Sequence, residues 1–262
     1  MTTKLVLTLS GGADSSVLLY MAAQYGYDEI HTVTFDYGQR HSRELDCVTK
    51  QLANVQQKYP NTVFTNKVLD VKYIKDISPT SSLTNLTIDN PNVQEIAGDA
   101  QPVSYVPFRN MMFLSIACAY AESMKADTVW YGAAEVDSLA GYWDSSDYFV
   151  DIINNLVSLN RKNKIKIEAP LLTMSKKAIV SKGVDLDVNF NDTWTCYSNR
   201  EDGLADLTTP SSSLRARGFI DSSYVDPIEY VQQDKLNEIY KDMNCKLIPG
   251  VFYKSSIRDG LK

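Results

Sequence analysis

The residues best suited to chemistry come in one short run, Leu9-Ser10-Gly11-Gly12-Ala13-Asp14-Ser15-Ser16. Paired glycines let the backbone turn tightly and leave no Cβ in the way of a ligand. Three serine hydroxyls add donors, and an acid, Asp14, stands inside the turn. A strand-like apolar pattern (Leu5, Val6, Leu7) precedes the run and an apolar helical pattern (Val17, Leu18, Leu19) follows it. The free amides and dipole of that helix start favour an anion at the turn. The run therefore reads as a phosphate cradle, the plainer alternative being an ordinary strand-to-helix turn of small residues. It meets neither GxxxxGK[ST], because no lysine ends the turn, nor GxGxxG.

Further candidates sit where other apolar segments end. A strand-like stretch, EIHTVTF, runs into Asp36-Tyr37-Gly38-Gln39-Arg40-His41. Gln39 and Arg40 could reach a phosphate or ribose there, or simply form a polar loop with Tyr37 packed on the surface; the residues alone leave both open. Arg109, in Val106-Pro107-Phe108-Arg109-Asn110, directly precedes a strongly apolar helical segment, which favours a ligand contact over a solvated arginine. The Met and Phe residues of that segment read as core. After the strand ending at Tyr131 come Asp137, Gly141, Tyr142 and Asp144. Two acids with aromatics suit a planar heterocycle or a metal, while Ser145 and Ser146 suit the cap of the next helix. Residues 76–102, rich in Ser, Thr, Asn and Pro, read as a lid or a mobile loop, and both stay open.

These groups need a scaffold. Strand patterns at residues 5–7, 29–35, 63–71, 126–131 and 164–169 alternate with helical patterns at 15–24, 44–57, 111–124, 148–160 and 175–182. That alternation predicts an α/β fold with a doubly wound, mostly parallel sheet. Residues 198–213 read as loop, with short helical patterns at 227–231 and 236–243. An α/β domain over residues 1–195 and a C-terminal extension over 196–262 are expected. The 262 residues are 44% apolar, enough for a sizeable core, and a net charge of −6 weakens any reading as a general nucleic-acid binder. No leader and no apolar run of about 18 residues is visible. Four scattered cysteines (Cys47, Cys118, Cys196, Cys245) suggest reduced thiols in a cytoplasm.

SGGxDS resembles the pyrophosphate-cleaving loop of the N-type ATP pyrophosphatases. With TFDYGQRH (34–41), VPFRN (106–110), the DxxxGYxD spacing of Asp137 to Asp144, and APL…TWTCY (169–197) in that order, residues 4–219 resemble the 7-cyano-7-deazaguanine synthase (QueC-like) family. The resemblance implies an adenine nucleotide alpha hydrolase-like, Rossmann-like fold with a small C-terminal helical and loop extension. It also implies an ATP-dependent C–N ligase of queuosine biosynthesis, forming AMP and pyrophosphate. ATP would adenylate the carboxylate of 7-carboxy-7-deazaguanine, ammonia would displace AMP to give the amide, and a second ATP would dehydrate it to the nitrile. Ser10, Asp14, Ser15, Arg109 and Lys176 would be catalytic. Leu9, Ser10, Gly11, Gly12, Asp14, Ser15, Ser16, Thr34, Phe35, Tyr37, Gln39 and Arg40 would bind ATP, with Asp14 also holding Mg²⁺. Arg109, Asn110, Asp137, Gly141, Tyr142 and Asp144 would bind the deazaguanine. Lys176 aligns with a lysine that could neutralise phosphate charge, a solvated helix lysine being its alternative. A homodimer is expected, with the tail from Ile220 as a possible interface, and no membrane or direct nucleic-acid partner.

The chain also departs from the family. Typical members follow TWSCY with CGxCxxC, whose three cysteines and the one in TWSCY hold a structural zinc. Here Cys196 is joined at those positions by Asp206, Thr209 and Ser212, a set unsuited to Zn²⁺; no zinc is expected. Phe108 replaces the glycine of VPGRN, and SSDYF replaces a proline-containing stretch. Alternatives are an enzyme stopping at 7-amido-7-deazaguanine, one that adenylates another carboxylate, or a non-catalytic nucleotide-binding scaffold.

Overall fold

The continuous apolar run Leu5-Val6-Leu7 makes β1 (Lys4–Thr8) a strand buried on both sides. In the computed structural model, which describes residues 2–38, 43–85, 87–92, 95, 101–139, 142–197 and 200–261, Leu5 and Leu7 face one hydrophobic cluster and Val6 the other. β1 is the middle strand of a five-stranded sheet in the order β3-β2-β1-β4-β5, with every pairing parallel. Its neighbours are β2 (Glu29–Asp36) and β4 (Thr128–Trp130), and β3 (Val63–Asp70) and β5 (Lys166–Glu168) form the edges. The expected strands are all present; β1 and β2 run slightly beyond the expected ranges, and β3, β4 and β5 stop short of them.

On one face lie α1 (Ala13–Tyr25), α2 (Arg43–Lys58) and α7 (Lys176–Asp185), around Val17, Leu18, Val55 and Ile179. Short helices α3 (Ile74–Ile77) and α5 (Glu135–Leu139) lie in the connections. On the other face are α4 (Arg109–Met124) and α6 (Asp147–Val157), around Leu114, Ala117, Phe149 and Ile153. The sheet is thus doubly wound. The chain moves outward from β1 to β3, then returns to the far side of β1 at β4, so the strand order reverses between β1 and β4. In open α/β sheets ligands bind at the carboxyl ends of the strands flanking such a reversal.

Ser146 is the N-cap of α6, its Oγ accepting from Phe149 N at 3.1 Å, as one of the two expected caps. The C-terminal segment departs from the sequence reading. Residues 210–213, expected as loop, open α8 (Pro210–Asp221), because a proline in the first turn has no N–H to lose there. Residues 227–231 are not helical; Tyr230 instead bridges to Ala205. α9 (Gln233–Asp242) and α10 (Ser255–Arg258) follow. Apolar groups of the tail from Ile220, among them Val225, Tyr230, Leu236, Tyr240 and Ile257, pack into a third cluster of this same chain with Cys47, Trp194 and Cys196. Among the described residues no helix is long and apolar enough to cross a membrane.

Candidate functional site

A cavity of about 860 Å³ opens at the β1–β4 reversal. Its floor at one end is the turn between β1 and α1. Helix α1 begins at Ala13, two residues earlier than the apolar pattern indicates, so Asp14, Ser15 and Ser16 belong to its first turn. The turn is held by hydroxyls: Ser10 Oγ lies 3.0 Å from Ser15 Oγ and accepts from Gly12 N at 3.3 Å, and Ser15 Oγ donates to Gly12 O at 3.2 Å. Leu9, Ser10, Gly12, Asp14 and Ser15 line the cavity.

Gly11, Ser16 and Thr34, by contrast, do not line it. Gly11 has φ +84°, and a Cβ there would lie 2.1 Å from the Glu44 carbonyl oxygen. Its lack of a side chain thus serves close packing on α2, not room for a ligand. Ser16 is fully buried with no hydrogen-bond partner for Oγ among the described residues. Thr34, expected at the nucleotide border, lies beneath it and donates to Leu9 O at 2.9 Å. It shapes the turn from below.

Lys176, the first residue of α7, reaches into this end with Nζ 2.5 Å from Asp14 Oδ2. Gly218 of α8 makes this possible, since a Cβ there would lie 2.4 Å from Lys176 Cγ. The other carboxylate oxygen, Asp14 Oδ1, is buried and has no partner among the described residues. A buried anionic oxygen left bare on a cavity wall fits a divalent cation, which prefers hard oxygen ligands. Asp14 therefore suits Mg²⁺.

The other end is aromatic and carries more charge. Arg109 is the first residue of α4, with its guanidinium 5.9 Å from the Tyr37 ring centre. Phe35 stacks on Phe113 with ring centres 3.9 Å apart, and both line the wall with Tyr37, Tyr131 and Tyr142. Asn110 donates to Asp144 from its side chain and backbone. Asp137 Oδ2 accepts from Ala134 N at 3.0 Å, which leaves Oδ1 for the cavity. Burial raises the pKa of both acids, against the pull of Arg109. Gly141, expected to bind the deazaguanine, and Gln39 and Arg40, expected to bind the nucleotide, lie outside the described residues.

Leu83, Asn90, Pro91 and Pro102, from the stretch expected as a lid or loop, line the cavity as well. Sequence reasoning missed Glu44, Trp194, Thr195 and Tyr197, which also form its wall. Glu44 is buried beside Arg109, and burial pushes its carboxyl up to about 8. An acid in the first turn of a helix ordinarily complements the dipole from solvent, so nothing local marked Glu44 as a wall residue. Trp194, Thr195 and Tyr197 lie in TWTCY, an irregular stretch whose residues follow no helical or strand period that would mark a wall position.

Phe108, at the position of a family glycine, has φ 54°, a left-handed conformation that is uncommon for a large side chain. It is more than half exposed and does not line the cavity. Its ring packs edge-on against Trp143, whose Nε1 donates to the wall residue Tyr105 at Oη, 2.9 Å away.

The four positions aligned with zinc ligands do converge, but on one another. Cys196 Sγ accepts from Asp206 N at 3.4 Å and lies 3.8 Å from Thr209 Oγ1, which is 2.8 Å from Ser212 Oγ. The Asp206 carboxylate turns away to Thr208 N and Gln232 Nε2, at 2.9 and 3.0 Å. One thiol and two hydroxyls do not fit a structural zinc. Among the described residues no group of three or more His, Cys, Asp or Glu is placed to hold a metal.

Residues 4–223 match the family model described as queuosine biosynthesis protein QueC. The chain is 37% identical over 235 residues to a 7-cyano-7-deazaguanine synthase of Clostridium kluyveri, covering 87% of this chain and 97% of that one. It is 35% identical over 253 residues to the protein of that name in Thermoplasma volcanium, covering 95% and 98%. A Pseudoalteromonas atlantica protein of the same name is 35% identical over 235 residues, covering 88% and 100%.

Proposed function

The chain belongs to the QueC family of queuosine-biosynthesis proteins, and on that premise we propose that it is an ATP-dependent, AMP- and pyrophosphate-forming ligase. It adenylates the carboxylate of 7-carboxy-7-deazaguanine, ammonia displaces AMP to give the amide, and a second ATP activates the amide oxygen for loss of water to the nitrile, 7-cyano-7-deazaguanine. The observation that carries this reading is the continuity of the cavity. Amides, hydroxyls and a lysine suited to phosphate lie at one end, and aromatic faces with acids suited to a planar heterocycle lie at the other. Its volume, about 860 Å³, is in the range of small-molecule sites.

A carboxylate is a poor acyl donor because its leaving group would be oxide; forming the mixed anhydride with AMP corrects this. Ser10, Gly12 and Ser15 take the oxygens of the departing pyrophosphate through loop amides and hydroxyls. Lys176 holds Asp14 in place and neutralises phosphate charge. Asp14 would hold Mg²⁺, which when bound screens the charge that builds on the leaving group. Arg109, a permanent cation, meets the substrate carboxylate. Asp137 and Asp144 accept from the N–H and amino groups of the deazaguanine, and Tyr142 packs beside it. The aromatic wall and the segment around Leu83 and Pro102 exclude water that would otherwise hydrolyse the acyl adenylate.

The protein acts in the cytoplasm as a homodimer. An exposed apolar stripe on and after α6 (Tyr148, Ile152, Leu156, Leu159) supports the self-association, which sedimentation velocity tests. The test of the reaction is mass spectrometry of mixtures holding the protein, Mg²⁺-ATP, ammonium and 7-carboxy-7-deazaguanine, with AMP quantified alongside. Nitrile with about two AMP per product is expected, one adenylation for each of the two steps. Amide with one AMP would make it an amide-forming enzyme. Neither product nor AMP would overturn the reading.

A further inference from the structure

Thr195 stands where the C-terminal part of the chain meets the β1–α1 turn. Its Oγ1 lies 3.4 Å from Ala13 N and 3.4 Å from Nη1 of Arg215, both of them donors, and its side chain lines the cavity. A hydroxyl has two lone pairs and one proton. With N–H groups facing the lone pairs, neither neighbour can take the proton, and the open side is the cavity. Both contacts are long for N–H···O bonds, so the hydroxyl is oriented without being saturated. It also sits beside the turn, since a Cβ built on Gly12 would be 3.9 Å from Thr195 Oγ1.

Two further contacts keep it there. Trp194 N donates to Gly11 O at 3.0 Å, clamping this segment to the turn. Arg215 is held on its other side by Asp226, through Nε to Oδ2 at 2.7 Å and Nη2 to Oδ1 at 3.0 Å, and by Thr193 Oγ1 at 2.8 Å. The guanidinium therefore cannot follow a ligand; it fixes the direction of the hydroxyl.

We infer that Thr195 is a further pyrophosphate-binding residue, its hydroxyl donating to a phosphate oxygen seated in the Ser10–Ser15 turn, with Arg215 and Asp226 as the positioning pair behind it. This rests on the reading of the turn as a pyrophosphate site. Titration calorimetry with inorganic pyrophosphate and Mg²⁺ tests it on the full chain, using wild type, Thr195→Val, Thr195→Ala and Thr195→Ser. Loss of a hydrogen bond to a charged group is expected to weaken pyrophosphate binding about tenfold in the Val and Ala variants. The Ser variant, which keeps the hydroxyl, is expected to stay within about twofold of wild type. The Ala variant decides the matter should the Val variant not fold. Wild-type affinity in a folded Val or Ala variant would overturn the assignment, as would a Ser variant as weak as Val. Wild-type protein that binds no pyrophosphate would overturn the reading of the turn itself, and this inference with it.

Discussion

Two polar clusters lie within one segment of each other and are built in opposite ways. Around Arg215 everything is closed. The guanidinium and the Asp226 carboxylate are at most 2% exposed, and Tyr230 Oη and Ile228 N add bonds to Asp226 at 2.8 and 3.2 Å. Around the Ser10–Ser15 turn the amide contacts to hydroxyls are 3.3 to 3.4 Å long, and Asp14 Oδ1 has no partner among the described residues. Burying polar groups costs free energy unless each finds a partner. A cluster that only holds the fold is thus saturated, and one that awaits a ligand is left short of partners. Thr195 belongs to both, and takes its orientation from the first and its task from the second.

The contrast can be broken most forcefully at Asp226. Asp226→Ala leaves the Arg215 charge buried and unpaired, and about 3–5 kcal/mol of stability is expected to go; urea unfolding followed by circular dichroism reads it. Small loss there would mean the cluster is not saturated as described. Lys176→Met should show the reverse pattern, with AMP formation falling about 10²–10³-fold, as on loss of a charge-stabilising donor, while the unfolding midpoint moves little.

Glu44 sharpens the comparison through pH. Its carboxyl ordinarily titrates near 4.5 and is raised to about 8 by burial. The folded state therefore binds the proton more tightly than the unfolded chain. The contribution is fully present below about 4.5 and is lost as pH rises through about 8. Thermal melts of wild type should lose stability over that window relative to Glu44→Gln, which carries no titrating group there; parallel profiles would refute the assignment. The smallest effect belongs to the Cys196–Thr209–Ser212 contacts. Dialysis against a chelator should leave the melting midpoint of wild type unchanged, and Thr209→Val should cost about 1 kcal/mol. A chelator-induced drop would mean that a metal, and not these hydrogen bonds, holds the segment.

Much of the scaffold was legible because period-two and helical apolar patterns are local. Ser10, Gly12, Asp14 and Ser15 were legible for the same reason, since turn chemistry is written in adjacent residues. Thr34 does not line the cavity because successive residues of β2 face opposite sides of the sheet, and Phe35 takes the cavity side. The helix at Pro210–Asp221 was missed because its apolar residues pack on α7 and the tail, which blurs any local stripe.

The sequence by itself determined the α/β alternation, the glycine–serine turn between its first strand and helix, the presence of a lysine and an arginine, and the substitutions at the zinc positions. Each depends on residue type and near neighbours. Only the tertiary structure decided that Lys176 meets Asp14 across 162 residues, that Gly11 yields space to Glu44 and not to a ligand, and that Thr195 joins Arg215 to the turn. Those contacts arise where distant segments of the chain are packed over the carboxyl end of the central strand, and no local pattern encodes which long-range partner a side chain will meet.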